Sequence, residues 1–318
     1  MSGRCILCGS PDVRAVASLE TSLIEHEYRR VFGIDARCPA GTLALERCAR
    51  CDLAFFTPQC PGDEAFYHDL QRYPWYYQAD KPEFRVAAAH VTADDDVLEI
   101  GGGEGAFASH LRCRSYRMLE LNRAAVDAAR ARGLDAREDA VEAHAAAHPE
   151  AFDVVCTFQV LEHVPNPREF IASAVACLRP GGRLIVSVPG DESFVGRERH
   201  NLLNVPPHHM TRWSDRSLTS LGRTFDMDVV ALHHDALAPW HVLPYASNLV
   251  DELLGTVTRR AWHPLDPFFL TVPARALRGL LRVVPYLFVR AGRGRIRGHS
   301  TTVVYRKSAG ADAVRRSV

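Results

Sequence analysis

Lysine is nearly missing from this chain of 318 residues: Lys81 and Lys307 are the only two, and arginines balance the acidic residues to a formal net charge of zero. A chain with no excess of positive charge has no long-range field for gathering a polyanion, which disfavours nucleic acid as a partner. The preference for arginine reads as the coding bias of a GC-rich genome and carries no functional weight. Also missing is any apolar run long enough to span a bilayer, and the opening "MSGRCILCGS" has no leader h-region. Those absences predict a cytoplasmic protein in a reducing compartment, where closely spaced cysteines suggest metal before disulfide. No internal repeat is found, so a solenoid is excluded. What remains is a composition of 47% hydrophobic and 24% charged residues, ordinary for a soluble enzyme. The length suffices for one large core and a smaller accessory module.

Three regions separate along the chain. Residues 1–80 hold two pairs of cysteines and the aromatic run "AFYHDLQRYPWYY", with little periodicity. Residues 81–236 alternate short β-branched runs with helical stretches, the pattern of a parallel sheet. Strands are predicted at 97–100, 116–120, 153–158 and 183–188. Between them, "NRAAVDAARARG" reads as a helix stopped by Gly133. "NPREFIASAVACLRPGG" reads as another, with Asn166 as cap, Pro167 in the first turn and Gly181 at the end. The third region predicts strands at 227–234 and 300–307, separated by an apolar, proline-punctuated insertion at 237–299 that is too long for a hairpin loop. That insertion reads as a helical lid or an interface, and the tail 308–318 as disordered.

The stretch "LEIGGGEGAF" supplies the first chemistry. Gly101, Gly103 and Ala106 fit the dinucleotide fingerprint, which would place a pyrophosphate on a helix N-terminus. Gly101, Gly103 and Gly105 fit the shorter G-x-G-x-G loop of S-adenosylmethionine sites. Spacing does not choose between them, but charge does. Glu99 and Glu104 flank the turn and would oppose two phosphates, whereas they suit a ligand bearing a sulfonium and an ammonium. Glu120, nineteen residues past Gly101, closes the second predicted strand, where a carboxylate can accept ribose hydroxyls of either cofactor.

"DVLEIGGGEGAF", "MLELNRAAVDAAR", "FDVVCTFQVLEHVPNP" and "LRPGGRLIVSVP" together resemble the successive motifs of class I S-adenosylmethionine-dependent methyltransferases, over residues 84–236. The resemblance implies an α/β, doubly wound, Rossmann-like sheet of seven strands, the last antiparallel and inserted between two others. It further implies that Glu99, Gly101, Gly103 and Gly105 hold the methionine end of S-adenosylmethionine, and that Glu120 binds the ribose. Leu121 would pack near the adenine, Asp139 would reach its amino group, and Phe158 and Gln159 would wall the methionine and sulfonium. Gly102 and Glu104 depart from the residues many such enzymes carry.

Cys5 and Cys8 in "CILCG" and Cys48 and Cys51 in "CARCD" are two C-x-x-C knuckles, together able to close a tetrahedral, structural zinc site. Cys38 and Cys60 are spare candidates. The arrangement resembles the zinc-ribbon front end of certain natural-product and deoxysugar methyltransferases. Tyr67, Tyr73, Trp75, Tyr76 and Tyr77 read either as the core of this module or as a cover for an acceptor pocket.

Methyl transfer needs alignment and, for some acceptors, a base. Candidates are His163 in "VLEHVPNP" and His208 and His209 in "NVPPHHMTRWS", all expected near the carboxyl edge of the sheet. His163 reads as more structural than catalytic; Cys156 and Cys177 read as core. In the insertion, Arg275, Arg278, Arg282, Arg290, Arg293, Arg295 and Arg297 read first as a solvated face of helices packed on the core or on a homodimer partner. An anion clamp and a peripheral membrane contact are alternatives. The leading expectation is a methyltransferase for a small molecule, a sugar or hydroxylated natural-product intermediate, nucleotide-linked sugars included. Against it stand an RNA methyltransferase, an NAD-dependent oxidoreductase and a non-catalytic scaffold.

Overall fold

The computed structural model describes residues 3–73 and 76–309. Trp75 and, from residue 310 onward, the expected disordered tail lie outside the described residues.

Numbered along the chain, the strands are β1 (Val13–Glu20), β2 (Thr42–Cys48), β3 (Ala54–Thr57), β4 (Asp96–Ile100), β5 (Ser115–Glu120) and β6 (Asp135–Glu138). They continue with β7 (Phe152–Phe158), β8 (Leu178–Pro189), β9 (Thr211–Arg212), β10 (Met227–Ala236) and β11 (Arg297–Lys307). Seven form one sheet in the order β10-β11-β8-β7-β4-β5-β6, and its five central and distal strands, β4 to β8, run parallel. β11 is antiparallel to both β8 and β10, and so lies between them. This is the α/β, doubly wound sheet with an inserted antiparallel last strand. In β4, Val97 to Ile100 are buried on both faces, as expected of a parallel strand covered by helices on either side. The order reverses at β4, which places a crevice outside the carboxyl ends of β4, β5 and β7.

Local signals explain the flanking helices. Helix Arg123–Ala131 is alanine-rich and starts at Asn122, whose side chain accepts from the amides of Ala124 and Ala125. Helix Pro167–Ala176 starts on Asn166 with Pro167 in its first turn, as expected. It does not run to Gly181. Leu178 already pairs with Phe152, and Asp153 alone faces the stretch from Arg179 to Gly182, which bulges out of β8 with Gly181 at φ +78°. The glycine serves that bulge, not a helix end.

A second, antiparallel sheet runs β1-β2-β3-β9. Its fourth strand comes from far downstream: Phe55 faces Thr211 and Ala54 faces Arg212. The two cysteine knuckles do not stand apart from the large core. Cys5, Leu7, Cys48 and Cys51 pack in one cluster with Val186, Trp213 and Leu218. Arg168 donates to the Leu7 carbonyl at 2.7 Å, and Ser214 donates to Asp52 at 2.6 Å.

The insertion is helical, with Val242–Val257, Pro267–Leu270, Val272–Leu281 and Val283–Gly292. Its arginines do not form a single solvated face. Arg278 is buried against Asp251 at 2.7 Å, and Arg297 pairs with Asp215 at 2.7 Å, because each guanidinium meets a carboxylate brought by tertiary packing. The outward face is instead largely apolar, including Val257, Leu280 and Phe288. Among the described residues, no helix is long and apolar enough to cross a membrane.

Candidate active site

A cleft of about 1520 Å³ opens at the carboxyl edge of the parallel strands, with the aromatic segment before residue 80 and the insertion as its walls. At one end lies the glycine loop. Gly101, Gly103 and Gly105 have φ of +74°, +54° and +78°, the left-handed region open to glycine. A Cβ on Gly101 would lie 2.3 Å from Val160 Cγ2, and one on Gly105 would lie 2.3 Å from Leu134 Cδ1. The turn is therefore glycine on two grounds, conformation and space.

Glu120 closes this loop. One carboxylate oxygen accepts from Gly103 N–H at 2.9 Å, the other from Leu121 and Asn122 N–H at 2.8 and 2.9 Å. Three of the roughly four acceptor sites of a carboxylate are thus engaged, which fixes its direction and leaves room for a hydroxyl. Leu121 is exposed along the cleft, and Asp139, after β6, lines it and accepts from His144 Nδ1 at 3.1 Å.

Glu99 sits deeper than a surface ligand would. It is buried and hydrogen-bonded by the Tyr116 hydroxyl, and burial pushes its carboxyl up to about 7. Phe158 packs edge-on to Phe84 and Phe107, with centroids 5.1 and 4.8 Å away. Gln159 turns the chain out of β7 at φ +57°, an uncommon value for a side-chain-bearing residue. Its amide donates to Glu83 at 3.2 Å and to Ser300 at 3.1 Å. All three residues line the cleft.

Beyond Gln159, the structure brings the three candidate histidines together. Ring centroids of His163 and His208 are 4.4 Å apart, those of His163 and His209 4.9 Å, and His208 stacks on His209 at 4.6 Å. Each Nδ1–H donates outward: His163 to the His208 carbonyl at 2.6 Å, His208 to the Leu203 carbonyl at 2.9 Å, His209 to Asn204 Oδ1 at 3.2 Å. That network assigns the lone pair to Nε2 in all three rings. Burial drives the imidazolium form out, lowering His163 to about 4 and the other two well below the usual value. Tyr67 and Tyr76 cover the cluster, with Tyr67 5.9 Å from His163 and Tyr76 6.4 Å from His208. Tyr77 lines the cleft as well, whereas Tyr73 donates to the Phe32 carbonyl inside the module.

The strand pairing described above holds this cluster in place. Phe56 N–H donates to the Met210 carbonyl at 3.0 Å, and Met210 N–H donates to the Glu162 carbonyl at 2.7 Å. The segment carrying His208 and His209 is thus laced on one side to the cysteine module and on the other to the segment carrying His163.

Two groups were not visible as site residues in the sequence. Glu162 is 1% exposed, lines the cleft, and is pushed up to about 8 by burial. Asp235 also lines the cleft and is pushed up to about 7, again by burial. A carboxylate's burial depends on what packs over it. The only sequence signal was the adjacency of Glu162 to His163.

Away from the cleft, the sulfurs of Cys5, Cys8, Cys48 and Cys51 lie within 4.8 Å of one another, with Cys5–Cys51 at 3.5 Å and Cys8–Cys48 at 3.6 Å. Four thiolates at about 2.3 Å from a tetrahedral zinc stand roughly 3.8 Å apart, so the donor set fits that ion. Cys38 and Cys60 form a separate pair at 2.9 Å.

Residues 71–232 match the methyltransferase domain family. Among curated relatives, the chain is 33% identical over 156 residues to a protein of Mycolicibacterium smegmatis named a probable S-adenosylmethionine-dependent methyltransferase, covering 48% of this chain and 58% of that one. It is 25% identical over 165 residues to the ubiquinone biosynthesis O-methyltransferase of Klebsiella pneumoniae, covering 44% of this chain and 66% of that one. The match thus spans less than two thirds of each relative. Among solved structures, a SAM-dependent methyltransferase from Archaeoglobus fulgidus superposes with a TM-score of 0.50 at 12% identity, over 76% of this chain and 100% of that one; it shares the fold.

Proposed function

This chain belongs to the methyltransferase domain family, and from that membership we propose that it transfers the methyl group of S-adenosylmethionine to a hydroxyl of a small acceptor. The acceptor class is a sugar or a hydroxylated natural-product intermediate, nucleotide-linked sugars included. The observation that carries this reading is the sharing of one cleft by two unlike ends: an acidic glycine loop, and a set of neutral imidazoles 58 residues and more downstream of Gly105.

The loop suits the donor on its own residues. Glu104 and Glu120 give this end of the cleft the negative charge that a sulfonium and an ammonium require, the buried Glu99 adds to it when a cation draws off its proton, and the glycines let the backbone come close. Gly101, Gly103 and Gly105 would hold the methionine end, Glu120 a ribose hydroxyl, and Asp139 and Leu121 the adenine. When bound, the donor would supply a methyl carbon already activated by positive sulfur, its carbon–sulfur bond breaking as an acceptor oxygen bonds that carbon. The protein must align the acceptor and dispose of its proton. Nε2 of a cluster imidazole carries the lone pair for that proton, and the Nδ1 hydrogen bonds hold the rings toward the cleft. Tyr67 and Tyr76 exclude water from the same place. The cysteine set would hold a structural zinc, closed to substrate.

Titration with S-adenosylhomocysteine and, separately, with NAD tests the donor half. Binding of the former alone is expected, and preference for NAD refutes it. Formation of S-adenosylhomocysteine on incubation with panels of glycosides and phenols tests the acceptor half.

A further inference from the structure

The histidine cluster has a feature that proton abstraction does not require. Three imidazoles offer nitrogen atoms within 4.8 Å of one another, and all three spend their N–H on outward acceptors. Each neutral ring then keeps its Nε2 lone pair for another partner. Beside them lies the Glu162 carboxyl group: Oε1 is 3.8 Å from His163 Nε2 and 4.0 Å from His209 Nε2. Its second oxygen is buried without a hydrogen-bond partner among the described residues. A cluster built to satisfy itself would alternate donors and acceptors, because a buried polar atom left unpaired is destabilising. Free Nε2 acceptors close to one another, with each Nδ1–H tied to an oxygen behind its ring, are the arrangement of metal-ligating histidines and their outer partners.

We propose that His163, His208 and His209 form a second metal site, distinct from the cysteine set, that binds a divalent transition-metal ion and keeps a coordination position open to the cleft, with Glu162 beside the ion as an outer partner and not a ligand. Three imidazole nitrogens suit zinc, iron, cobalt or nickel better than magnesium or calcium. Imidazoles at about 2.0–2.1 Å from a tetrahedral ion stand roughly 3.3 Å apart, so the rings need to swing inward by about an ångström to close. All four residues line the cleft, and three histidines leave one position for an outside oxygen. Because an ion there would occupy the lone pairs assigned above to proton transfer, its use rests on the methyl-transfer reading and deepens it. The acceptor would be an alcohol or phenol whose oxygen binds the ion; its proton would go to Glu162 rather than to an imidazole, and the methyl step is otherwise unchanged. The binding site itself stands without that reading.

The test is the metal content of the full chain, stripped with chelator and reloaded with cobalt(II). Two equivalents per chain are expected: one with the strong thiolate-to-cobalt absorption of a cysteine site, one with weak ligand-field bands only. His163→Gln should remove the second and keep the first. Glu162→Gln, a milder change if the histidine variant does not fold, should weaken the second at least tenfold. One equivalent in the wild type, carrying thiolate bands alone, overturns the proposal. So does a second equivalent that survives both substitutions. Binding of S-adenosylhomocysteine, measured on the same samples, separates the two readings: its loss in the wild type refutes the donor assignment and leaves the metal count standing, while one equivalent with intact donor binding refutes only the metal site.

Discussion

Replacing Glu120 by glutamine changes one atom and the charge, and the structure fixes what must follow. Oε1 accepts two backbone N–H groups and Oε2 accepts one, from Gly103. Glutamine has one acceptor oxygen, which will stay where two donors converge. Its NH₂ then faces the Gly103 N–H, donor against donor, in the middle of the loop. A hydrogen bond to a charged group contributes about 1.5–3 kcal/mol, and that bond is lost both from the loop and from any ribose hydroxyl on the same oxygen. If the donor sits as proposed, the dissociation constant of S-adenosylhomocysteine rises roughly 10- to 150-fold. Isothermal titration on Glu120→Gln and on Glu120→Asp measures it, with thermal unfolding of the free proteins as a control for loop collapse. Wild-type affinity in the glutamine variant, with the fold intact, would mean that the ribose is bound elsewhere and that the assignment of this end of the cleft is wrong.

Three other outcomes are expected. Gly103→Leu places a side chain where a bare Cβ already lies 3.0 Å from Tyr77, so it should abolish S-adenosylhomocysteine binding while zinc per chain stays unchanged by elemental analysis; loss of both would mean that loop and cysteine set do not act separately. Cys8→Ser should lose one zinc per chain and lower the melting temperature, and an unchanged metal count would refute the ligand assignment. In acid, Asp96 is held below the usual carboxylate range by hydrogen bonds from Arg114 and Ser115, and Asp153, despite burial, by the Asp96 amide and Arg179. Their folded values lie below the unfolded one, so their stabilisation is complete above about pH 4–5 and drains as pH falls through the folded values. Asp96→Asn should flatten the melting-temperature profile below pH 4; an unaltered profile would rule these groups out.

The strands of the large sheet were legible because parallel strands buried on both faces read as short β-branched runs, and a glycine turn follows the first of them. One helix start was legible too, since Asn166 caps by a local hydrogen bond. Gly181 misled because a glycine after a helical pattern is the usual stop signal, and nothing in the local sequence shows that Leu178 has already been claimed by Phe152. The site divides the same way. The glycine loop and Glu120 are adjacent to strand ends and could be placed from sequence. That His163 meets His208 and His209 across 45 residues, and that Glu162 is buried beside them, is set by the two-residue strand Thr211–Arg212, too short to carry any periodicity. Arg278 and Arg297 looked alike in the sequence as members of a basic run, and only packing against Asp251 and Asp215 separates them from their solvated neighbours.

That short strand ties together two parts of the protein that sensitivity to oxidation would otherwise keep apart. The hydrogen bond from Phe56 to Met210 joins the sheet carrying Cys48 to the residue next to His209. On the proposed reading, damage to the thiolates by peroxide or by a competing soft metal should disturb the histidine end of the cleft before the glycine turn. If the donor binds as proposed, protein damaged in that way would still take up its nucleoside ligand and would fail to use it.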